Sequence, residues 1–104
     1  MPPPLDEVAA AHRRLLEVIA ELTDAQVAEP STLPGWTRGH VLAHLSDAAR
    51  ARARFLEHAA RGERVELWAP GERDAIIEAT ASRTAAGHRA ATAEQSALLE
   101  RAWA

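Results

Sequence analysis

The sequence predicts an all-α fold. Apolar residues recur at spacings of three and four, alanine is abundant while β-branched residues are sparse, and turn signals divide the chain into three long stretches. Hydrophobic residues make up 47% of the 104, which excludes a disordered tail, yet only 4% are aromatic. The core must therefore come from alanine, leucine, isoleucine and valine. This length fits one domain, 1–104.

The first stretch follows Pro2-Pro3-Pro4, through which a helix cannot continue backwards. Leu5, Val8, His12, Leu15, Ile19 and Leu22 then form an amphipathic stripe, and Thr23-Asp24 can cap a short continuation. Residues 30–35, Pro-Ser-Thr-Leu-Pro-Gly, read as a loop. The second helix begins at Trp36-Thr37 with Thr37 as N-cap and ends at Arg61-Gly62. Its expected stripe is Val41, Leu45, Ala48, Phe55 and Ala59, thickened by Leu42, Ala49 and Leu56.

Residues 62–71 form a linker longer than the loop that usually joins antiparallel neighbours. Extended, ten residues reach roughly 33 Å, so the third helix can lie parallel to the second after a crossover. That third helix is expected from Glu72 to Trp103, with Ile76, Ile77, Leu98 and Leu99 on its apolar side. Its middle, Thr80 to Thr92, is mostly small residues with Gly87, and a bend is expected there.

Composition excludes several functions. The net charge of −3 offers no basic surface for a phosphate backbone, so nucleic acid is not an expected partner. All 12 basic residues are arginine, which reads as codon bias. Without cysteine there is no protein thiol nucleophile and no disulfide, so any thiol chemistry needs an external small-molecule thiol. No apolar run approaches the ~18 residues of a membrane span. The start lacks the parts of a signal peptide, and a cytoplasmic protein is expected. Phosphate loops, Gly-x-Ser-x-Gly elbows and His-Glu-x-x-His helices are all missing.

Five histidines remain, at 12, 40, 44, 58 and 88. His40 and His44 are four apart in a helix and share a face, and Asp47 extends it. Such a pair can reach one zinc ion, with the carboxylate as a ligand or as a partner that orients an imidazole. A solvated or half-buried pair near the helix start is the competing reading. His12 lies on the first stripe and reads as a boundary histidine, while His58 and His88 read as surface residues. Glu7, Glu17 and Glu21 read as a solvated face.

More specific than the histidines alone is the run 33–45, Leu-Pro-Gly-Trp-Thr-Arg-Gly-His-Val-Leu-Ala-His-Leu. It resembles the N-terminal signature of mycothiol-dependent maleylpyruvate isomerase-like proteins, within the DinB/YfiT-like superfamily of metalloenzymes. Gly62-Glu63, the Trp68-Ala69-Pro70-Gly71 loop, residues 73–78 and residues 98–103 fit the same family, so the resemblance covers almost the whole chain.

The resemblance implies a four-helix bundle with a crossover between helices two and three. It also implies a divalent metal, usually zinc, held by three protein ligands, one of which falls on His44. The other two belong to a Glu-x-x-x-His-type motif on a fourth helix, and nothing like that motif is present here. The expected fold is thus a DinB/YfiT-like bundle of three long helices, completed by homodimerisation or a partner. His40 and Asp47 could be local substitutes for the missing ligands. In the family's enzyme the metal holds mycothiol as a thiolate, which adds to maleylpyruvate and leaves fumarylpyruvate after rotation and elimination. Two functions stay open at this point: a metal-binding, thiol-dependent isomerase or transferase domain, and a non-catalytic bundle that dimerises or binds a partner.

Overall fold

The computed structural model describes residues 5–104, so the Pro2–Pro4 run lies outside the described residues. Five helices follow in order: α1 Leu5–Ile19, α2 Asp24–Val27, α3 Arg38–Ala60, α4 Glu72–Thr80 and α5 Ala85–Trp103. Among the described residues the only strand-like pairing is an isolated bridge between Pro30 and Thr37. Among the described residues no helix is long and apolar enough to cross a membrane.

Local chemistry sets the helix ends. Thr23 caps α2 and Thr37 caps α3, each in a reciprocal box with the residue three positions on, Gln26 and His40. Both caps agree with the sequence reading, as does the end of α3 at Arg61. The third stretch differs from expectation. It is two helices, broken at residues 81–84 where Thr84 accepts from the Gly87 N–H and starts α5 afresh. Asp24 strengthens that start by accepting from the Ala85 N–H at 2.7 Å.

Contacts along each pair of helices define their directions. Arg50 approaches Glu72, His40 approaches Glu78, and Gly39 meets Ala81, so α4 runs antiparallel to α3. Leu42 packs with Ala85, whereas Ala49 and Ala53 pack with Leu99, so α5 runs parallel to α3. His12 reaches Glu100 and Ile19 packs with Ala85, which makes α1 antiparallel to α5. The expected crossover is present, but the linker does not make it alone. The linker and α4 together carry the chain back along α3.

Two residues make the 81–84 corner possible. Gly39 lies directly beneath the Ala81 carbonyl, where any Cβ would collide with backbone. His88 is 1% exposed and its Nε2–H donates to the same carbonyl at 3.0 Å. This corrects the reading of His88 as a surface residue. Its helical neighbours are mostly alanine, so no apolar stripe marks which face of α5 turns inward. That face is polar: His88, Thr92 and Ser96, four apart, are all buried.

The stripe expected on α3 is also displaced. Leu42, Ala43, Ser46, Asp47 and Ala49 are buried, whereas Leu45 is 38% and Phe55 40% exposed. Small residues let α3 and α5 approach closely, and the larger apolar side chains are left on a neighbouring face. A furrow of about 220 Å³ lies between α1 and α3, walled by Leu15 and Leu45 and floored by Thr92, Ser96 and Leu99.

Two measurements check this packing. Gly39→Ala should cost about 2 kcal/mol in denaturant unfolding, because overfilling a packed contact forces backbone movement; an unchanged midpoint would contradict the close approach. Burial lowers the His88 pKa below its ordinary 6.5, with Arg83 adding to the effect against the raising influence of the Ala81 hydrogen bond. Above pH 6.5 neither state protonates this ring, and stability is full. Below it the unfolded chain binds the proton first, so stability falls as pH drops towards the folded pKa. His88→Gln should flatten the fall in urea midpoint between pH 7 and 5.5; an equally steep fall would place its origin elsewhere.

Candidate functional site around Trp36, His44 and Arg73

The loop before α3 closes on itself and so aims Trp36. The Ser31 N–H and hydroxyl both donate to the Trp36 carbonyl, at 2.9 and 2.7 Å, and the Trp36 N–H donates back to Leu33 at 3.1 Å. Gly35 supplies the turn with φ of 79°, a conformation that favours glycine. The Arg38 N–H, donating to Glu29 at 2.8 Å, ties the loop to the end of α2. The indole consequently lies over the first turns of α3, stacked on His40 at 6.0 Å and tilted against His44 at 5.9 Å between ring centroids.

His40 serves the helix cap. Its Nδ1 accepts from the Thr37 N–H at 3.1 Å and lies 2.8 Å from the Thr37 hydroxyl, while Nε2 faces Glu78 at 3.2 Å. An imidazole thus occupies the place that Glu or Gln takes in the usual capping box. Both nitrogens have partners, although the ring shares a face with His44.

His44 has a different environment. Arg73, from the first turn of α4, lies with its guanidinium carbon 5.9 Å from the Trp36 ring centroid and its Nη2 3.4 Å from His44 Nδ1. A guanidinium only donates, so Nδ1 is the acceptor and the neutral ring carries its proton on Nε2. Burial pushes the His44 pKa down, Arg73 and Arg52 push it further, and Asp47 pulls weakly the other way. The imidazole is therefore neutral at pH 7.

Asp47 is 4% exposed and uses both carboxylate oxygens in holding the fold. Oδ1 accepts from Arg50 Nε at 2.6 Å, and Oδ2 accepts from the indole N–H of Trp68 at 2.7 Å. This contact pins the linker against α3. His12 bonds Glu100 at 2.8 Å and joins α1 to α5, while His58 sits in a surface cluster with Arg61 and Glu63.

The structure brings His40 and His44 to one indole, yet among the described residues no group of three His, Cys, Asp or Glu is arranged to hold a metal ion. A catalytic zinc takes three protein ligands and keeps one position open. His40 and Asp47 are already bonded on every ligating atom, and His44 Nδ1 faces a cation. These residues do not fit a divalent ion by themselves.

Trp68 and Arg73 fall in stretches that the sequence reading matched to the family without giving either residue a role. Trp68 could have been suspected, since a lone indole in a polar linker usually buries its body and bonds its N–H. Arg73 carried no such signal, because its approach to His44 depends on the α4 return. Asp47→Ala should cost about 2–3 kcal/mol in unfolding free energy, since it leaves an indole N–H and a guanidinium without their acceptor. A loss under about 0.5 kcal/mol, the usual size of surface effects, would show that the anchor is unimportant.

The family described as the mycothiol maleylpyruvate isomerase N-terminal domain matches residues 8–104. Among solved structures, the crystal structure of the mycothiol-dependent maleylpyruvate isomerase superposes with a TM-score of 0.83 at 26% identity. A histidine-to-alanine mutant of that enzyme superposes with a TM-score of 0.83 at 25% identity. In both cases 97% of this chain is covered but 44% of the other, so the chain spans less than half the length of those enzymes. No curated protein matches this sequence. The family match over nearly all of the chain, with the superposition of the folds beside it, shows that this protein belongs to the mycothiol maleylpyruvate isomerase N-terminal domain family.

Proposed function

We propose that residues 1–104 act as one domain of a mycothiol-dependent, maleylpyruvate isomerase-like enzyme and supply one wall of its small-molecule site. The observation that carries this reading is the Trp36–His44–Arg73 cluster: an aromatic plate, a neutral imidazole and a guanidinium at the end of a helix. Arg73 can hold an anionic group, either a thiolate or a carboxylate. His44 Nε2–H can donate to a polar substrate atom, and Trp36 limits water access. Since the chain has no cysteine, the thiol comes from a small molecule.

A zinc ion would polarise the substrate and favour a thiolate when bound. On this reading His44 is the one imidazole this chain offers it, and Arg73 must turn away for Nδ1 to serve. The remaining ligands come from outside the described residues.

Binding of mycothiol, followed by the Trp36 indole NMR signal, tests the proposal. Arg73→Gln should weaken binding at least tenfold, equivalent to about 1.4 kcal/mol. Calorimetric zinc titration should show weak binding that His44→Ala abolishes. Mycothiol affinity indifferent to Arg73, or zinc binding indifferent to His44, would contradict the assignment.

A second reading, a homodimerisation or partner-binding bundle, draws support from the furrow that the exposed Leu45 lines. Leu45→Glu should dissociate such an assembly in light scattering. A monomer at every concentration, with no change on substitution, would remove self-association.

A further inference from the structure

The apolar stripe that the sequence marks on α3 is not the one the core uses. Val41, Leu45, Ala48, Arg52, Phe55 and Ala59 recur at alternating spacings of four and three, a heptad seam with one charge in it. Leu42, Ala43, Ser46, Ala49 and Ala53 carry the buried side of the helix instead. Along the seam Leu45, Arg52, Phe55 and Ala59 are exposed, so no helix among the described residues covers them. On one flank, Leu45, Ala48 and Arg52 line the furrow that parts α3 from α1.

From Val41 to Ala59 the seam runs about 28 Å, a length that suits another helix better than a small molecule. The residues along it select which helix fits. If two copies of α3 paired in parallel, equal positions would meet and Arg52 would face Arg52, an unfavourable like-charge contact. An antiparallel pair about a two-fold axis level with Arg50 has no such conflict. Val41 then lies opposite Ala59, Leu45 opposite Phe55 and Ala48 opposite Arg52. Large residues meet small ones at the ends and centre, and the two bulky apolar residues meet between them. The two guanidinium groups are offset by about 6 Å along the helices, and each stem lies over an alanine while its head reaches water. Sliding the pair by one heptad sets Arg52 against Phe55 or Val41 and leaves apolar ends unpaired.

We propose that this face of α3 joins two copies of the chain, antiparallel, through Val41, Leu45, Ala48, Phe55 and Ala59, with Arg52 over Ala48 of the second copy fixing the register. A single polar residue in an apolar seam is a known way of specifying orientation. This pairing rests on the self-association reading above and gives it a face, a direction and a register.

Light scattering and cysteine cross-linking of the full chain test the proposal, and the absence of native cysteine keeps the second measurement clean. Leu45 and Phe55 are exposed, so cysteine at either position leaves the core intact. The chain should form a concentration-dependent dimer, and Phe55→Glu should weaken it about tenfold or more, as loss of an interface anchor does. On oxidation, Leu45→Cys mixed with Phe55→Cys should give a covalent dimer, and either variant alone should give little. Cross-linking of each variant with itself but not with the other would overturn the antiparallel pairing. A dimer that survives Phe55→Glu and forms no mixed cross-link would overturn this face while leaving self-association itself standing. A monomer at every concentration would overturn both.

Discussion

The buried carboxylate of Asp47 is the constraint on which the arrangement of the site depends. One oxygen holds Arg50 and the other holds the Trp68 indole, so the linker after α3 is pressed back along the helix it has just left. From that anchor α4 can only run antiparallel to α3. Its first turn then delivers Arg73 to His44, its last turn delivers Glu78 to His40, and its end sets the Ala81 carbonyl on Gly39. A carboxylate on the same face as two histidines thus holds the linker and Arg50 in place.

The two histidines show how identical residues on one helix face acquire different chemistry. His40 is consumed by the N-cap, where satisfying orphan N–H groups of the first turn stabilises the helix. One turn further on, His44 is beyond the cap and meets Trp36 and Arg73 instead. Partial burial and a nearby cation keep it neutral, a state suited to hydrogen bonding or, with the guanidinium displaced, to coordination.

Much of the fold was legible in the sequence because its signals are local. Thr37 and Thr23 announce caps, Gly35 and Gly62 announce turns, and the long 62–71 linker announces a crossover. The inward face of α5 was not legible: buried His88, Thr92 and Ser96 sit among alanines, and no hydrophobic contrast reports which side meets α3. The division of the third stretch at 81–84 was foreshadowed by its small residues, but the break depends on the distant Gly39 and on Asp24 reaching the Ala85 N–H. Of the candidate site, the shared face of His40 and His44 was readable from spacing alone. The roles of Asp47 and Arg73 were not, since both depend on where the return segment lands.

The central claim is that the folded return of α4 places Arg73 against a neutral His44 whose ring proton sits on Nε2. Histidine ring 15N NMR as a function of pH measures this directly. The account predicts the Nε2–H tautomer at pH 7, a His44 pKa below 6.5, and an upward shift when Arg73 is replaced by glutamine. A His44 that titrates at or above 6.5, or one that ignores the loss of Arg73, would contradict it.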